Sequence, residues 1–520
     1  MTSGILQSRG HRVLIGTLIV SSLIPIWVVE YFPSQNGPWS LLMAKMLVDY
    51  NNPAFNYSAY YEPSWHAIPH MLHTLIVYAL GVVMPVLTAH KVAISAFVVL
   101  FPISVFVFLE SIDPRRTVLG YASFLFVYNV PLLRGYHDYS IGLPLVLLTY
   151  AYWRRHRENM TLGVRLAIMA MTVVVYFSHA FNLGVLGIAI VLTAAWERRS
   201  VRAVIDSALL FIVPFILALE YAWFTKTQAE WVDRSERVFL TPLTAVEAFF
   251  SRFFYTLSYP AYVLTALVVV AWSWIVAAGL LKTWRAWRNG TVQLKETAIP
   301  LLLAVFTAMY FVAPYKFFNW HYANVRFIPY VLVFALACAV PLGRRARPAF
   351  VASIAVAAVA SYSLLTKEFI IANTLIKEYI SGLSVVAMNK TLLPVAFAGE
   401  EVGEVSPVAH AADYYHFYRG GANGWGMGQF NTLTPLVYRN TPVRKHFPAL
   451  RDMGDRHIEA VSGAYDYVLL WGDSGKATER LSAAGFEVVH EQQRLRILRN
   501  PRRLVDRDVD GAMAIEGAQN

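Results

Sequence analysis

Several ionisable residues stand at or near the ends of long apolar segments of the sequence. Two of them, Asp138 and Glu30, are the candidate catalytic residues, because a carboxylate can move a proton during a reaction. The others are the candidate substrate-binding residues Arg326, Lys316, His321, Arg134, His137 and His179. Ionisable groups at a membrane margin are costly, so they indicate a functional site by default.

Each of these positions also has a structural interpretation, which the sequence leaves open. Asp138 follows Arg134 at a helical spacing that allows a simple ion pair, and such a pair contributes little where it is exposed. Glu30 can be an interfacial carboxylate beside solvent. His179 can be a helix-end residue that is hydrogen-bonded to the neighbouring backbone.

The apolar segments that carry these residues define the class of protein. Of 520 residues, 57% are hydrophobic and 15% are charged, whereas soluble domains have roughly 45–50% apolar and about 25% charged residues. The excess lies in blocks of about 17–25 residues, the length that crosses a hydrocarbon core as a helix. The sequence therefore predicts an all-α polytopic membrane domain.

We predict about eleven transmembrane helices of this length. They cover residues 13–32, 90–110, 117–132, 140–153, 162–178, 184–196, 204–224, 261–281, 298–313, 327–342 and 349–366. Clusters of arginine and lysine fall in alternate loops, which predicts a cytoplasmic N-terminus and a C-terminus on the outer side. The alternation holds only if residues 70–87 do not cross, so we assign them to a helix at the outer surface. An ordinary span there is the alternative, and it would invert the orientation of everything downstream.

The formal net charge of +11 comes largely from these loop clusters. It therefore indicates membrane orientation and no nucleic-acid partner. Arg326 runs against the charge bias, since it opens a span on the less positive side, and we expect it to hold an anionic ligand such as a phosphate. With one cysteine, Cys338, and no cysteine or histidine metal motif, no metal-ligating residues are predicted. The cofactor stays open, a divalent cation included.

The domain boundaries follow a change in character after Thr366. Residues 1–366 form the predicted transmembrane domain, with long outer loops at 33–89 and 225–260. Charges occur throughout 367–501, where alternating runs such as Tyr465–Trp471 predict a small extracytoplasmic α/β domain closed by a hairpin. Residues 502–520 are charged and then small and polar, which predicts a disordered tail.

In this layout the chain resembles the polytopic GT-C-type glycosyltransferases that use polyprenyl-phosphate sugar donors, and most closely a bacterial membrane-protein group of the same layout. The resemblance rests on the long first outer loop, the short second outer loop Arg134–Gly142, the span end Tyr176–His179, the loop Tyr315–Arg326 and the outer α/β domain. It implies sugar transfer to a glycan, lipid or protein acceptor of the cell envelope, at the outer face of the bacterial inner membrane. The partners it implies are the lipid bilayer and the lipid-linked sugar, while protein partners stay open.

The resemblance also implies roles for single residues. Asp138 corresponds to an acidic residue that assists the catalytic base, and Arg326, with Lys316, corresponds to the groups that hold the lipid phosphate. The family's first carboxylate has no direct match, because this chain reads FPSQNGPW at 32–39. The residues that could replace it are Glu30, Asp49 and Glu62.

Two other functions stay open. A non-catalytic membrane scaffold would account for the missing carboxylate. A transporter of lipid-linked glycans would need charged residues near mid-membrane and an internal repeat, whereas the predicted spans are nearly charge-free at their centres and no repeat is evident.

Overall fold

The computed structural model of the protein describes residues 8–227, 237–251, 259–289, 294–317, 320–397, 405–423, 433–439 and 455–503, together with residues 399 and 402. Most of the chain is helical. The predicted outer loop 225–260 and the predicted α/β domain are therefore described in part. The predicted disordered tail lies outside the described residues, apart from Arg502 and Arg503.

The α-helices follow one another along most of the chain. Those of the first half are α1 (Arg9–Trp27), α2 (Gly37–Val48), α3 (Leu72–Gly81), α4 (Val86–Ile112), α5 (Val130–Leu133), α6 (His137–His156), α7 (Leu162–Ser178), α8 (Ala180–Arg198), α9 (Val201–Ala208), α10 (Ile212–Thr227) and α11 (Pro242–Ser251). The later ones are α12 (Tyr259–Arg288), α13 (Leu294–Val312), α14 (Ile328–Cys338), α15 (Ala346–Tyr379), α16 (Asp413–Arg419), α17 (Asp455–Ala464) and α18 (Gly475–Ala483). Short 3-10 helices cover Tyr57–Ala59, Pro114–Leu125, Leu209–Phe211, Asn324–Phe327 and Ser381–Val385.

The strands form three small sheets. They are β1 (Tyr61–Pro63), β2 (Arg237–Val238), β3 (Lys316–Phe317), β4 (Trp320–His321), β5 (Thr391–Ala396), β6 (Ala422–Asn423), β7 (Leu436–Tyr438), β8 (Tyr467–Trp471), β9 (Glu487–Gln492) and β10 (Leu495–Arg499). One sheet pairs β1 with β7, a second has the order β2-β3-β4, and the third has the order β6-β5-β8-β10-β9.

The chain divides into two compact units. The first comprises Met1–Glu30, His66–His73 and Lys91–Ile370, and the second comprises Tyr31–Trp65, Thr74–His90 and Ile371–Asn520. The structure thus groups parts of the first outer loop with the C-terminal residues. The domain boundaries drawn from the sequence stay a prediction.

Five helices in the described ranges are long and apolar enough to cross a membrane. They are Arg9–Trp27, Val86–Ile112, Ala180–Arg198, Val201–Lys226 and Ala346–Val385. Shorter apolar helices cover Leu72–Gly81, Leu162–Ser178, Thr297–Val312 and Asn324–Cys338. The prediction of a mostly helical chain with several apolar helices is confirmed, while the number of spans and their orientation stay predictions.

Two predicted segments can be compared with the structure directly. The segment 70–87 contains α3, which ends after ten residues, or about 15 Å, half the thickness of a hydrocarbon core. The segment 117–132 is not one α-helix, because its 3-10 helix ends at Leu125 and α5 begins at Val130. The side chain of Asn129 accepts a hydrogen bond from the amide of Leu132 at 3.1 Å and so caps a new helix there.

The second unit contains the α/β fold that the sequence predicted. In its five-stranded sheet β5 is parallel to β6 and β8, whereas β10 is antiparallel to β8 and β9. The β9–β10 pair is the predicted closing hairpin. The buried carboxylate of Asp466 accepts hydrogen bonds from the amide and the hydroxyl of Thr391, at 2.8 and 3.0 Å, which joins the starts of β5 and β8.

In the first unit, α6, α7 and α8 pack against one another. A buried carboxamide fixes their contact, since Asn182 on α8 donates to the carbonyl of Tyr139 on α6 at 2.9 Å and accepts from the hydroxyl of Tyr330 on α14 at 2.7 Å. Gly142 on α6 faces this carboxamide. A Cβ added there would lie 1.8 Å from Nδ2 of Asn182 and 2.3 Å from Oγ of Ser178.

Replacing Gly142 with alanine should therefore destabilise the first unit. The Asn182 side chain is held by three hydrogen bonds, since it also donates to the hydroxyl of Ser178 at 3.3 Å. It cannot swing away freely, so we expect a loss of about 1–3 kcal/mol, as for other overpacked sites. Gly184→Ala is the matched control. Gly184 is on α8, two residues after Asn182, and a Cβ added there meets no atom within 4 Å. Thermal unfolding of the detergent-solubilised variants measures both, and equal midpoints for the two would contradict the close approach at Gly142.

Candidate functional site

The candidate residues of the second predicted outer loop are arranged by a tight reversal of the chain between α5 and α6. Gly135 adopts a φ of 81°, a left-handed conformation that favours glycine. The amide of Tyr136 then donates to the carbonyl of Pro131 at 2.9 Å. This turn places Arg134 before the helix and both His137 and Asp138 in its first turn.

The carboxylate of Asp138 accepts a hydrogen bond from the backbone amide of His73 at 2.7 Å. That amide lies in the first turn of α3, where helix amides have no partner within the helix. Burial raises the pKa of the Asp138 carboxyl well above its ordinary value, and the hydrogen bond from His73 offsets part of the rise. A carboxylate with a raised pKa is a better proton acceptor than an exposed one.

His137 and His73 form a buried imidazole pair beside this carboxylate. Their ring centroids are 4.7 Å apart, and both side chains are almost fully buried. Imidazole and carboxylate are donors that a divalent cation can use. If the protein uses a divalent cation, which the sequence leaves open, these imidazoles of the first unit are the groups that would bind it.

Arg326 is buried in the 3-10 turn that leads into α14, with 5% of its surface exposed. Its guanidinium lies over the ring of Tyr136, 4.8 Å from the centroid, a favourable cation–π distance. The hydroxyl of Tyr139 donates to the Arg326 carbonyl at 2.5 Å. Arg326 is thus fastened to the first turn of α6, next to Asp138.

His179 is the single residue between α7 and α8. Its Nδ1 accepts a hydrogen bond from the amide of Phe181 at 3.1 Å, which caps α8, so the proton of the neutral ring is on Nε2. Its ring packs edge-on against Tyr139, with centroids 6.0 Å apart. Burial, and then the nearby Arg326 and His70, lower the pKa of this imidazole well below its ordinary value.

The remaining candidates are Arg134, Lys316 and His321. The guanidinium of Arg134 lies 4.7 Å from the centre of the Tyr322 ring, and Tyr322 adopts a φ of 61° directly after β4. In the small sheet, Lys316 on β3 is opposite His321 on β4, and His321 is exposed. The loop before Arg326 therefore places Lys316 and His321 side by side.

The candidates for the first carboxylate lie in other parts of the chain. Glu30 is exposed after the end of α1, with an electrostatic interaction to Lys91 on α4. In the second unit, Asp49 pairs with Lys45 at 2.6 Å, and Glu62 on β1 is 4.0 Å from Arg439.

The first unit thus brings Asp138, His137, His179 and Arg326 into one network around the start of α6. Residues that the sequence analysis did not select complete it: His73, Tyr136, Tyr139, Asn182 and Tyr330. A polar amide inside an apolar helix is a signal that could have identified Asn182, since such groups usually bond across helices. The tyrosines carry no comparable signal, because a tyrosine is common at membrane interfaces and in protein cores.

Solved structures provide the comparison with known proteins. ArnT from Cupriavidus metallidurans in the apo state superposes with a TM-score of 0.56 at 10% sequence identity, over 94% of this chain and 97% of ArnT. ArnT bound to undecaprenyl phosphate gives a TM-score of 0.54 at the same identity and coverage. The chain has a GT-C-type fold.

More distant, the Archaeoglobus fulgidus oligosaccharyltransferase in complex with Zn and sulfate has a TM-score of 0.47 at 13% identity, over 87% of this chain and 67% of that one. No protein-family model and no curated protein matches the sequence. With its apolar helices and this fold, the chain is a multi-pass membrane protein.

The capping role of His179 in the GT-C-type fold can be tested by substitution. His179→Ala removes the acceptor for the Phe181 amide and should destabilise the protein by about 0.5–2 kcal/mol. His179→Asn keeps a good capping acceptor and should stay close to wild type. Thermal unfolding at neutral pH in detergent measures the difference, and equal losses for both variants would contradict the cap.

The same residue predicts a pH dependence of stability. Its pKa in the folded state is below the unfolded value near 6.5, so between the two values the unfolded chain binds more protons. The contribution of neutral His179 is full above about pH 6.5 and is lost as the pH falls below it. Wild type should therefore lose more stability than His179→Asn on acidification, and parallel pH profiles would contradict a depressed pKa.

Proposed function

We propose that the protein is a membrane glycosyltransferase that moves a sugar from a polyprenyl-phosphate donor to a glycan, lipid or protein acceptor of the cell envelope. The reaction takes place at the outer face of the bacterial inner membrane. The GT-C-type fold supports the reaction class, and the undecaprenyl phosphate bound by ArnT supports the lipid carrier.

One observation carries the assignment to residues. The buried guanidinium of Arg326 and the half-buried carboxylate of Asp138 belong to one network. Arg326 contacts Tyr136 and Tyr139, which stand on either side of His137 and Asp138 in the sequence. An anion-binding group and a proton acceptor are thus fixed by the same short segment. Transfer of a sugar from a phosphate donor needs both a group that binds the phosphate and a group that accepts the proton of the acceptor.

The chemistry follows from these two groups. Asp138 takes the proton of the acceptor hydroxyl as its oxygen attacks the anomeric carbon of the sugar. The bond from that carbon to the phosphate oxygen breaks, and the phosphate leaves with the electron pair. Arg326 stabilises the negative charge that develops there, while Lys316 and Arg134 add positive charge from the adjoining loops. The substrate-binding candidates His137, His179 and His321 and the catalytic candidate Glu30 have no assigned step.

A non-catalytic scaffold is the second candidate, and a specific contact favours it. The Asp138 carboxylate already accepts the His73 amide, so its position is also accounted for by helix capping. Two further observations support the scaffold. Glu30 is exposed after α1, and the sequence at 32–39 contains no carboxylate.

Asp138→Asn separates the two candidates. The asparagine oxygen can still accept the His73 amide, but the carboxamide cannot accept a proton as a base. Stability should therefore change little, while transfer should fall roughly 10²–10⁴-fold. The assay uses the purified full chain in lipid with polyprenyl-phosphate-linked sugars and measures sugar transfer and thermal unfolding.

Arg326→Gln should lower transfer roughly 10²–10³-fold and weaken retention of undecaprenyl phosphate. Matched controls are Glu110→Gln and Arg155→Gln, which break a partly exposed ion pair at 2.9 Å between α4 and α6. Full activity of Asp138→Asn and Arg326→Gln would remove this site. Retention of the lipid phosphate without transfer from any donor would favour the scaffold.

The orientation belongs to the same proposal, with the N-terminus in the cytoplasm and the C-terminal α/β domain periplasmic or extracellular. Glu479 is exposed on α18, and Asn159 is exposed in the turn between α6 and α7. In a background with Cys338→Ala, a cysteine at Glu479 should react with a membrane-impermeant reagent in spheroplasts, whereas one at Asn159 should react only after lysis. The reverse pattern would overturn the orientation.

A further inference from the structure

The first unit contains a polar concavity, formed where α6 and α8 end and α7 begins. Its volume is about 250 Å³, and α9 closes one side. The charged side chains that line it are Arg157, Glu158, Arg165, Arg198 and Asp206. The candidate site lies at the other ends of the same helices, α6 and α7 being about 30 and 25 Å long at 1.5 Å per residue.

The arginines of this cavity are held in place. Glu197 accepts from Arg154 at 3.2 Å and from Arg157 at 3.0 Å, and its side chain is 8% exposed. Arg198 donates to the carbonyl of Arg157. Within the ranges that the structure describes, no carboxylate pairs with Arg198, so the cavity keeps a guanidinium whose charge is not neutralised by an ion pair.

Carboxylates lie beside these arginines. Asp206 on α9 is 4.0 Å from Arg165, at the limit of an ion pair, and has 43% of its side chain exposed. Glu158 is exposed at the end of α6. The lining therefore offers positive charge for an anion and negative charge for a cation within one small volume.

Exposed apolar side chains adjoin the cavity. Leu162 and Leu166 flank Arg165 on α7 with 72% and 56% exposure, and Val201 and Ile205 on α9 have 76% and 52%. In a multi-pass membrane protein such side chains contact acyl chains. A ligand of this cavity therefore has a charged end and an apolar remainder.

We propose that this cavity binds the headgroup of a phospholipid that carries a phosphate and a primary amine, as in phosphoethanolamine. Arg198 and Arg157 hold the phosphate, since guanidinium groups bind phosphate oxygens with several parallel hydrogen bonds. Asp206 and Glu158 hold the ammonium, and the exposed leucines contact the acyl chains. Basic pockets between membrane helices are known to select lipid headgroups.

The test is native mass spectrometry of the full chain, purified in detergent and titrated with phosphatidylethanolamine, phosphatidylglycerol or phosphatidylcholine of identical acyl chains. We expect phosphatidylethanolamine to bind most tightly. Arg198→Gln should weaken its binding about tenfold or more, as for loss of a charged hydrogen bond. Asp206→Asn should reduce the preference over phosphatidylcholine, whose quaternary amine cannot donate hydrogen bonds.

Arg155→Gln is the matched control, because Arg155 is in the last turn of α6, close in sequence to the lining residue Arg157, but pairs with Glu110 and does not line the cavity. Equal binding by Arg198→Gln and Arg155→Gln would overturn the site. Equal or tighter binding of phosphatidylglycerol in the wild type would overturn the amine. If inorganic phosphate competed for the cavity with an affinity equal to that of the lipid, the lipid would be overturned as the ligand. Sugar transfer plays no part in these readouts, so they stand apart from the proposed function.

Discussion

The carboxamide of Asn182 is the constraint on which the arrangement of the first unit depends. It is fully buried among apolar helices, where an amide without partners would be costly. Two of its hydrogen bonds join α8 to the Tyr139 carbonyl on α6 and to the Tyr330 hydroxyl on α14, and a third reaches the Ser178 hydroxyl on α7. Tyr139 in turn reaches the carbonyl of Arg326. The places of the candidate base and of the buried arginine are thus both set by one interhelical contact.

Much of the local structure could be predicted from the sequence. The helix predicted over 162–178 has the bounds of α7, and the closing hairpin is formed by β9 and β10. The reason is that hydrophobic periodicity and turn residues act over short distances along the chain. The segment 117–132 is not the single α-helix that the sequence predicts, because hydropathy alone does not distinguish one long α-helix from a 3-10 helix followed by α5.

Candidate residues for the site could be selected from the sequence, whereas their contacts could not. Arg326 is a candidate from the sequence because it opens a predicted span on the less positive side and so runs against the charge bias. Its hydrogen bond with Tyr139, in contrast, joins residues far apart in sequence. The link from Asp138 to the His73 amide is of the same kind. No period or spacing specifies which distant turn supplies a partner, so these contacts depend on tertiary packing. His179 illustrates the converse, since its interpretation as a helix-end residue needed only its neighbours.

The polar ends of α6 serve more than one purpose. Asp138 lies in its first turn and Arg154 and Arg155 in its last, so both ends complement the helix dipole. Arg154, one of the arginines that predict membrane orientation, also forms the buried ion pair with Glu197. Orientation, helix stability and the walls of two separate polar regions thus draw on the same few side chains.

The connection between α7 and α8 has a consequence for how this chain can vary. Only His179 separates Ser178 from Ala180, so the hairpin has no slack. One inserted residue would rotate α8 by about 100° about its axis. The Asn182 side chain would then point away from Tyr139 on α6 and Tyr330 on α14. Insertions and deletions among related chains should therefore occur in the other loops. The length of this connection fixes the rotation of α8 relative to α7.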